Sequence, residues 1–227
     1  NQVICLSGLG SNKPFQALAT DRIPCLDLLE KTQCFPFYTY TEDGQNRREN
    51  LTDWALGAFR QHYQDANINK WDLFYYVYGL LHHAEYRQKY AVNLKRELPR
   101  IPCAPDFWTY SQAGKQLAEL HIHYEQQPEF PLTRVYAPDQ PHNWEVKKMR
   151  LNKEKTAIIY NDWLTLNGIP PEVFNYRLGN RSALEWIIEQ YQVKTDARSG
   201  IVNDPNDPEN PQAIIKLIGQ VIQISLE

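Results

Sequence analysis

The sequence predicts an α+β protein, predominantly helical, with a β-hairpin at about 144–162 and a small β-rich region at the N-terminus. Three observations predict it. Trp71 to Leu81 is apolar almost all round, the pattern of a helix buried on every side. Ser182-x-x-Glu185 is a capping box that opens a helix with Leu184, Ile187, Ile188 and Tyr191 on its inner face. Trp144 to Asn152 and Thr156 to Asp162 read as strands joined by a polar turn at Asn152, Lys153 and Glu154.

In chain order, Val3 to Leu6 reads as a short strand entering the glycine-bearing loop SGLGSNKP, Ser7 to Pro14. A phosphate-cradling loop would need GxxxxGK followed by Ser or Thr, and here Lys13 is followed by Pro14. The dinucleotide pattern would need a third glycine where Lys13 stands, so a tight turn after a strand is expected. Cys34 to Tyr40 has strand composition. The polar run Thr41 to Asn50 is the best seam, dividing a β-rich N-terminal region (residues 1–50) from a helical α+β domain (residues 51–227). Thr52 is expected to cap a helix reaching about Tyr63, with Ala55, Phe59 and Tyr63 on one face.

Beyond Leu81 the character changes. Tyr86, Tyr90, Leu94 and Leu98 recur every four residues and predict an amphipathic helix that Pro99 stops. Lys89 and Arg96 project from another face, and Arg87 to Cys103 holds five basic residues against Glu97 alone. A further helix is expected from about Asp106 to Tyr124. Thr133 to Ala137 reads as a strand. In the strand at Trp144 to Asn152, Lys148 and Arg150 should face one way and Lys147 and Met149 the other. Pro170 and Pro171 predict a helix start and Gly179 its stop. Thr195 to Pro211 is expected as a long turn-rich loop, and Gln212 to about Ile224 as a core helix.

At 227 residues the chain suits one large domain or two small ones. Its 24 basic and 27 acidic residues leave a net charge of −3, so no basic field covers the whole protein and nucleic-acid binding would need local patches. One such patch is Lys147, Lys148, Arg150, Lys153 and Lys155 against Glu154. Lysines that protect an edge strand would give the same pattern. Cys5, Cys25, Cys34 and Cys103 form no CxxC pair and are expected to be reduced, mostly buried thiols of a cytoplasmic protein. No apolar run approaches a membrane span and no signal peptide opens the chain. The only methionine is Met149 and the first residue is Asn1, so a piece of a longer polypeptide is expected.

The search for chemistry finds no catalytic set. His82 and His83 are adjacent and point about 100° apart on a helix, and of His121, His123 and Glu125 only the first and last share a helical face, so no metal is expected. The Asp/Asn-Pro-Pro-aromatic loop of adenine methylation is not matched by PDFW, Pro105 to Trp108, or NDW, Asn161 to Trp163. No Ser, Cys or Lys nucleophile has a recognisable setting. What remains is a polar surface. Tyr176 to Trp186 puts Arg177, Asn180, Arg181 and Ser182 around a glycine turn and a helix start, where phosphates bind and from which Arg and Asn can read base edges. Simple capping by Asn180 and Ser182, with Arg177 paired to a carboxylate such as Glu185, explains the same residues.

The segments DLFYYVYGLLHHAEYRQKYAVNLKRELPRIP, DFW, AGKQLAELHIHYE, KTAIIYNDWLTLNGIP, YRLGNRSALEWIIEQYQV, SGIVNDPN and IIKLIGQVI together resemble the C-terminal region of bacterial type ISP restriction–modification enzymes and putative adenine-specific DNA methyltransferases. The likeness covers nearly the whole chain. It implies a target recognition domain that binds double-stranded DNA beside methyltransferase and motor domains of the same polypeptide. It also implies that the N-terminal region, up to Asn50, continues a larger recognition domain upstream. S-adenosylmethionine, ATP and Mg would serve those other domains, and this piece would hold no cofactor. The chain lacks a methyltransferase cofactor loop, Walker motifs and a nuclease carboxylate–lysine core, so the resemblance implies recognition and not catalysis.

No contact residues come with the resemblance. The candidate DNA-binding residues therefore rest on local chemistry: Ser11, Asn12 and Lys13; Lys147, Lys148, Arg150 and Lys153; Arg177, Asn180, Arg181 and Ser182; and Arg198. Two other readings stand beside this one. A structural coupling module that docks the methyltransferase and motor would use the many Tyr and Trp residues, and an enzyme in its own right would use the histidines.

Overall fold

The structure is a computed structural model that describes residues 1–227. It is mixed α and β, with 35% of residues in helix and 16% in strand. The α+β expectation holds. Helical predominance is not clearly matched, because about half the residues lie outside both kinds of element. The chain forms two compact units, Asn1–His123 and Tyr124–Glu227.

The first unit opens with an antiparallel sheet of β1 (Val3–Leu6), β2 (Ala17–Thr20) and β3 (Gln33–Pro36) in the order β2-β1-β3. Every residue of β1 is buried, and Cys5 lies opposite Leu18 on one side and Cys34 on the other. A two-residue ladder joins β4 (Tyr38–Thr39) to β5 (Arg48–Glu49). Next comes α1 (Asp53–Tyr63), capped by Thr52 as its sequence predicts. Helix α2 (Lys70–His82) is opened by a capping box of Asn69 and Asp72 and buries Leu73, Phe74, Tyr75, Tyr76, Tyr78, Leu80 and Leu81. The N-terminal strands share a core with it: the Phe37 ring stacks on Trp71 at 3.6 Å, and Tyr78 Oη accepts the Ala19 N–H at 2.8 Å.

The amphipathic helix expected after Leu81 is broken into pieces. His83 ends α2 with extended backbone, α3 (Ala84–Lys89) follows, and only a 3₁₀ turn at Asn93–Lys95 continues it. Tyr86 and Leu94 are buried as expected, but Leu98 is exposed. Helix α4 (Phe107–Ile122), capped by Asp106, packs against α2. Of the four cysteines only Cys5 is buried; Cys25, Cys34 and Cys103 are exposed and free, which corrects the expectation of mostly buried thiols.

The second unit contains β6 (Thr133–Tyr136), β7 (Arg150–Leu151), β8 (Ala157–Ile159) and β9 (Leu164–Asn167), an antiparallel sheet in the order β6-β9-β8-β7. The predicted hairpin exists, with Arg150 opposite Ile159, but residues 144–149 are not strand. Their backbone is held by other groups: the Asn206 side chain bonds both Val146 N–H (2.8 Å) and Val146 carbonyl (2.9 Å), and Val193 N–H donates to the Lys147 carbonyl (3.1 Å). Consequently Lys147 and Lys148 are both exposed while Val146 and Met149 are buried, which corrects the expected alternation.

The helix expected from Pro170 to Gly179 is only a 3₁₀ turn, Pro171–Asn175, followed by a tight hairpin of β10 (Arg177–Leu178) and β11 (Arg181–Ser182). Gly179 at its tip has φ +73°, a conformation that glycine adopts without strain. Helix α5 (Ala183–Gln190) follows as predicted. The expected loop contains a second small hairpin, β12 (Lys194–Thr195) with β13 (Val202–Asn203). Helix α6 (Ala213–Leu226) closes the chain and, with α5 and the inner faces of β8 and β9, fills the core of this unit.

Candidate nucleic-acid interface

The loop Ser7–Pro14 owes its shape to the glycines, which let two backbones meet. A side chain on Gly8 would put its Cβ 2.0 Å from the Lys31 carbonyl oxygen. The amide groups that a phosphate would need are already engaged. Ser7 N–H donates to Gln16 O, Gly8 to Glu30 O, Gly10 to Lys95 O and Ser11 to Gly8 O, all within 3.0–3.2 Å. Ser11 Oγ donates to the Glu30 carboxylate at 2.6 Å and accepts from Lys13 N–H at 3.1 Å. That hydroxyl, with lesser help from Lys13, holds Glu30 below the usual carboxylate range. Asn12 and Lys13 are exposed.

In the second unit, the anchors at Val146 and Lys147 tie the segment 146–149 to residues 193 and 206. Gln192 Nε2 adds a bond to the Met149 carbonyl at 3.3 Å. Lys147 and Lys148 therefore stand in solvent beside the base of the β12–β13 hairpin. Arg150 on β7 and Lys153 in the turn after it are exposed too.

Around α5 the structure spends the predicted residues on local bonds. Ser182 is fully buried and its Oγ accepts from Glu185 N–H at 3.2 Å, while the Glu185 carboxylate accepts from Ser182 N–H at 2.9 Å. The Ser182 amide is the main reason Glu185 sits below its ordinary value, with Lys155 contributing through a 2.9 Å ion pair. Ser182 thus positions this surface from beneath and does not present a group on it. The Arg177 guanidinium donates to the Asn180 carbonyl across the β10–β11 turn, not to Glu185 as its spacing allowed. Arg181 pairs with Glu189, two turns along α5, and both side chains remain about 40% exposed. Arg198 is exposed on the β12–β13 hairpin. Sequence reasoning missed this hairpin and its first residue, Lys194; the signal available was KT and VN flanking an Asp-x-x-Ser-Gly turn.

The histidines are placed for packing. Tyr78 Oη bonds His121 Nδ1, and the His82 and His121 rings lie 5.5 Å apart between centroids. Burial pushes His82 down to about 3, with the neighbouring His121 and Arg87 adding to it, and pushes His121 down to about 4. His123 lies 3.4 Å from Glu119. Nowhere do three His, Cys, Asp or Glu side chains converge in a way that could hold a metal ion. No helix is long and apolar enough to cross a membrane.

A family model described as the type ISP C-terminal specificity domain matches residues 1–217. Solved structures also match. A cryo-electron-microscopy structure of a DrdV–DNA complex is 42% identical with a TM-score of 0.89, over 99% of this chain and 24% of that one. A nuclease-deletion mutant of the type ISP restriction–modification enzyme LlaGI, in complex with a DNA substrate mimic, is 36% identical with a TM-score of 0.83, over 99% of this chain and 20% of that one. The ATP-dependent type ISP restriction–modification enzyme LlaBIII bound to DNA is 34% identical with a TM-score of 0.87, over 100% of this chain and 15% of that one. The chain thus spans a quarter or less of the length of these polypeptides. No match was found among curated proteins.

Proposed function

The chain belongs to the family of type ISP C-terminal specificity domains, and on that premise we propose that it recognises the DNA target sequence of a restriction–modification polypeptide. The observation that carries this reading is the extent of the likeness. At 34–42% identity, 99–100% of the chain is shared with three proteins solved with DNA or a DNA mimic.

In this reading Lys147, Lys148 and Lys153 hold phosphates as flexible point charges and Arg150 holds one through its planar guanidinium. Arg177, Asn180 and Arg181 on the β10–β11 hairpin read base edges, with Ser182 fixing the hairpin against α5. For Arg181 this requires exchanging Glu189 for a base, a modest cost because the pair is solvent-exposed. Ser11, Asn12 and Lys13 supply a separate phosphate contact on the first unit. Methylation and ATP-driven restriction belong to other domains of the same cytoplasmic polypeptide. S-adenosylmethionine, ATP and Mg act there; these residues offer no metal-holding set.

The test is selection from a randomised duplex pool by the intact protein. Recovery of one defined sequence supports the reading, and recovery of an unselected pool overturns it. A second reading, a docking module for the methyltransferase and motor domains, is favoured by one observation. Ile23 and Leu26, in the segment between β2 and β3, are 99% and 80% exposed, uncovered by any other residue of the chain.

A further inference from the structure

Residues 194–204, which contain the β12–β13 hairpin, are exposed without exception. The hairpin is nevertheless built as a rigid object. The Asp196 carboxylate accepts from the amides of Arg198 (3.0 Å) and Ser199 (2.7 Å) and from the Ser199 hydroxyl (2.8 Å). The Asp196 amide donates to Ile201 O and the Gly200 amide to Asp196 O, each at 2.9 Å. Gly200 takes φ +71°, which closes the turn. Its base is anchored as well: Lys194 Nζ donates to the Glu189 carbonyl at 2.6 Å, and Val193 N–H donates to the Lys147 carbonyl at 3.1 Å.

Three side chains on this rigid frame have no role within the chain. Arg198 forms no ion pair and its guanidinium makes no hydrogen bond, unlike Arg177 and Arg181. Ile201 and Val202 are 68% and 57% exposed and belong to none of the hydrophobic cores. The two carboxylates of this segment are exposed but engaged in local hydrogen bonds. Asp196 is spent on the turn, and Asp204 accepts from Asn206 N–H and Nδ2 at 2.9 and 2.7 Å.

Resting on the DNA-recognition reading, we infer that the β12–β13 hairpin enters the major groove and that Arg198 and Ile201 contact base edges there. The groove is about 12 Å wide and admits a two-stranded β-ribbon. Arginine pairs bidentately with guanine O6 and N7, and an apolar β-branched side chain packs against the thymine methyl group. Lys147 and Lys148, fixed at the hairpin's base, would meet the flanking phosphates, so charge and shape match one occupant, duplex DNA.

The experiment is selection from a randomised duplex pool by the intact wild-type protein and by Arg198→Ala, Arg198→Lys and Ile201→Ser variants. A defined wild-type sequence establishes the recognition reading by itself; its absence overturns that reading and the hairpin's role together. Given a defined sequence, Arg198→Ala and Arg198→Lys should lose preference at the same one or two base pairs, by about tenfold or more. Ile201→Ser should relax a neighbouring position, with binding to scrambled DNA little changed. If all three variants select the wild-type sequence with undiminished preference, the hairpin is not a reader, and a protein partner is the better occupant of its apolar tip. If Arg198→Ala weakens the selected and the scrambled duplex alike and leaves the selected sequence unchanged, Arg198 contacts phosphate and the base-reading inference is wrong. Both positions are solvent-exposed, so none of the three substitutions removes a core contact.

Discussion

Gly79 of α2 and Gly114 of α4 face each other where the two helices cross. A Cβ on Gly114 would lie 1.9 Å from the Tyr75 carbonyl oxygen, and one on Gly79 would lie 2.4 Å from the Tyr110 carbonyl oxygen. Both obstacles are backbone, so neither can swing aside. Ser111 Oγ, donating to the Asp72 carbonyl at 2.9 Å, binds the same crossing one turn away.

The first prediction follows from that contact. Alanine is intrinsically better than glycine in a helix by about 1 kcal/mol, yet overpacking costs about 1–3 kcal/mol or more. At Gly114 the clash should win, so Gly114→Ala should lower the denaturant midpoint of the first unit. Gly57 in α1 has nothing within 4 Å of its would-be Cβ. Gly57→Ala should therefore raise stability by up to about 1 kcal/mol. Equal effects at the two sites would show that the helix crossing is not as close as described.

A second prediction concerns acid. Burial holds His82 at about 3 and His121 at about 4, below an ordinary value of 6.5, so both are neutral when folded at neutral pH. Below pH 6.5 the unfolded chain takes up protons that the folded chain refuses, so folding stability falls as pH falls. The loss should approach about 1.4 kcal/mol per pH unit for each histidine, from pH 6.5 towards 4. His82→Gln and His121→Gln should each flatten the curve of stability against pH. A curve as steep in both variants as in the wild type would contradict the account.

The start of α5 supplies the third. Ser182→Ala removes a fully buried cap hydroxyl and should cost about 1–2 kcal/mol, read as a lower midpoint for the second unit. Lys155→Ala breaks only a half-exposed ion pair with Glu185 and should change the midpoint by less than about 1 kcal/mol. The reverse order of effects would mean that charge, and not the cap, holds this helix.

How much of this was legible in the sequence depends on the range of each interaction. Thr52, Asp106 and the Ser182–Glu185 box cap helices through contacts three residues apart, so α1, α4 and α5 could be read locally. The apolar run at Trp71–Leu81 likewise declared a buried helix. The passage from one helix to the next at His83 was legible where the apolar run ends, but the break after Lys89 was hidden, because the fourfold spacing of Tyr86, Tyr90 and Leu94 survives in a helix fragment followed by a 3₁₀ turn. Strand β9 was missed although Leu164 and Leu166 alternate and are both fully buried, since a four-residue run gives periodicity little to work on.

The candidate site divides the same way. Exposure of Lys147, Lys148, Arg150 and Lys153 follows from their chemistry. The residue that engages each arginine does not. Arg181 reaches Glu189 only because β11 runs straight into α5, and Lys147 meets Val193 across a long stretch of chain. Asn206, which replaces a strand partner at Val146, sits 60 residues away. Its role follows from tertiary packing that no local pattern encodes.

The most direct measurement of the central claim compares Lys148→Ala with Arg181→Ala in the intact protein, on the selected duplex and on a scrambled one, at two salt concentrations. Lysine at a phosphate carries no sequence information. Lys148→Ala should weaken both duplexes alike and lower the salt slope by about 1. Arg181→Ala should cost about 1–3 kcal/mol on the selected duplex and little on the scrambled one. Equal weakening of the two duplexes by both variants would contradict base reading at the β10–β11 hairpin. Unchanged binding in both would show that these residues do not contact DNA.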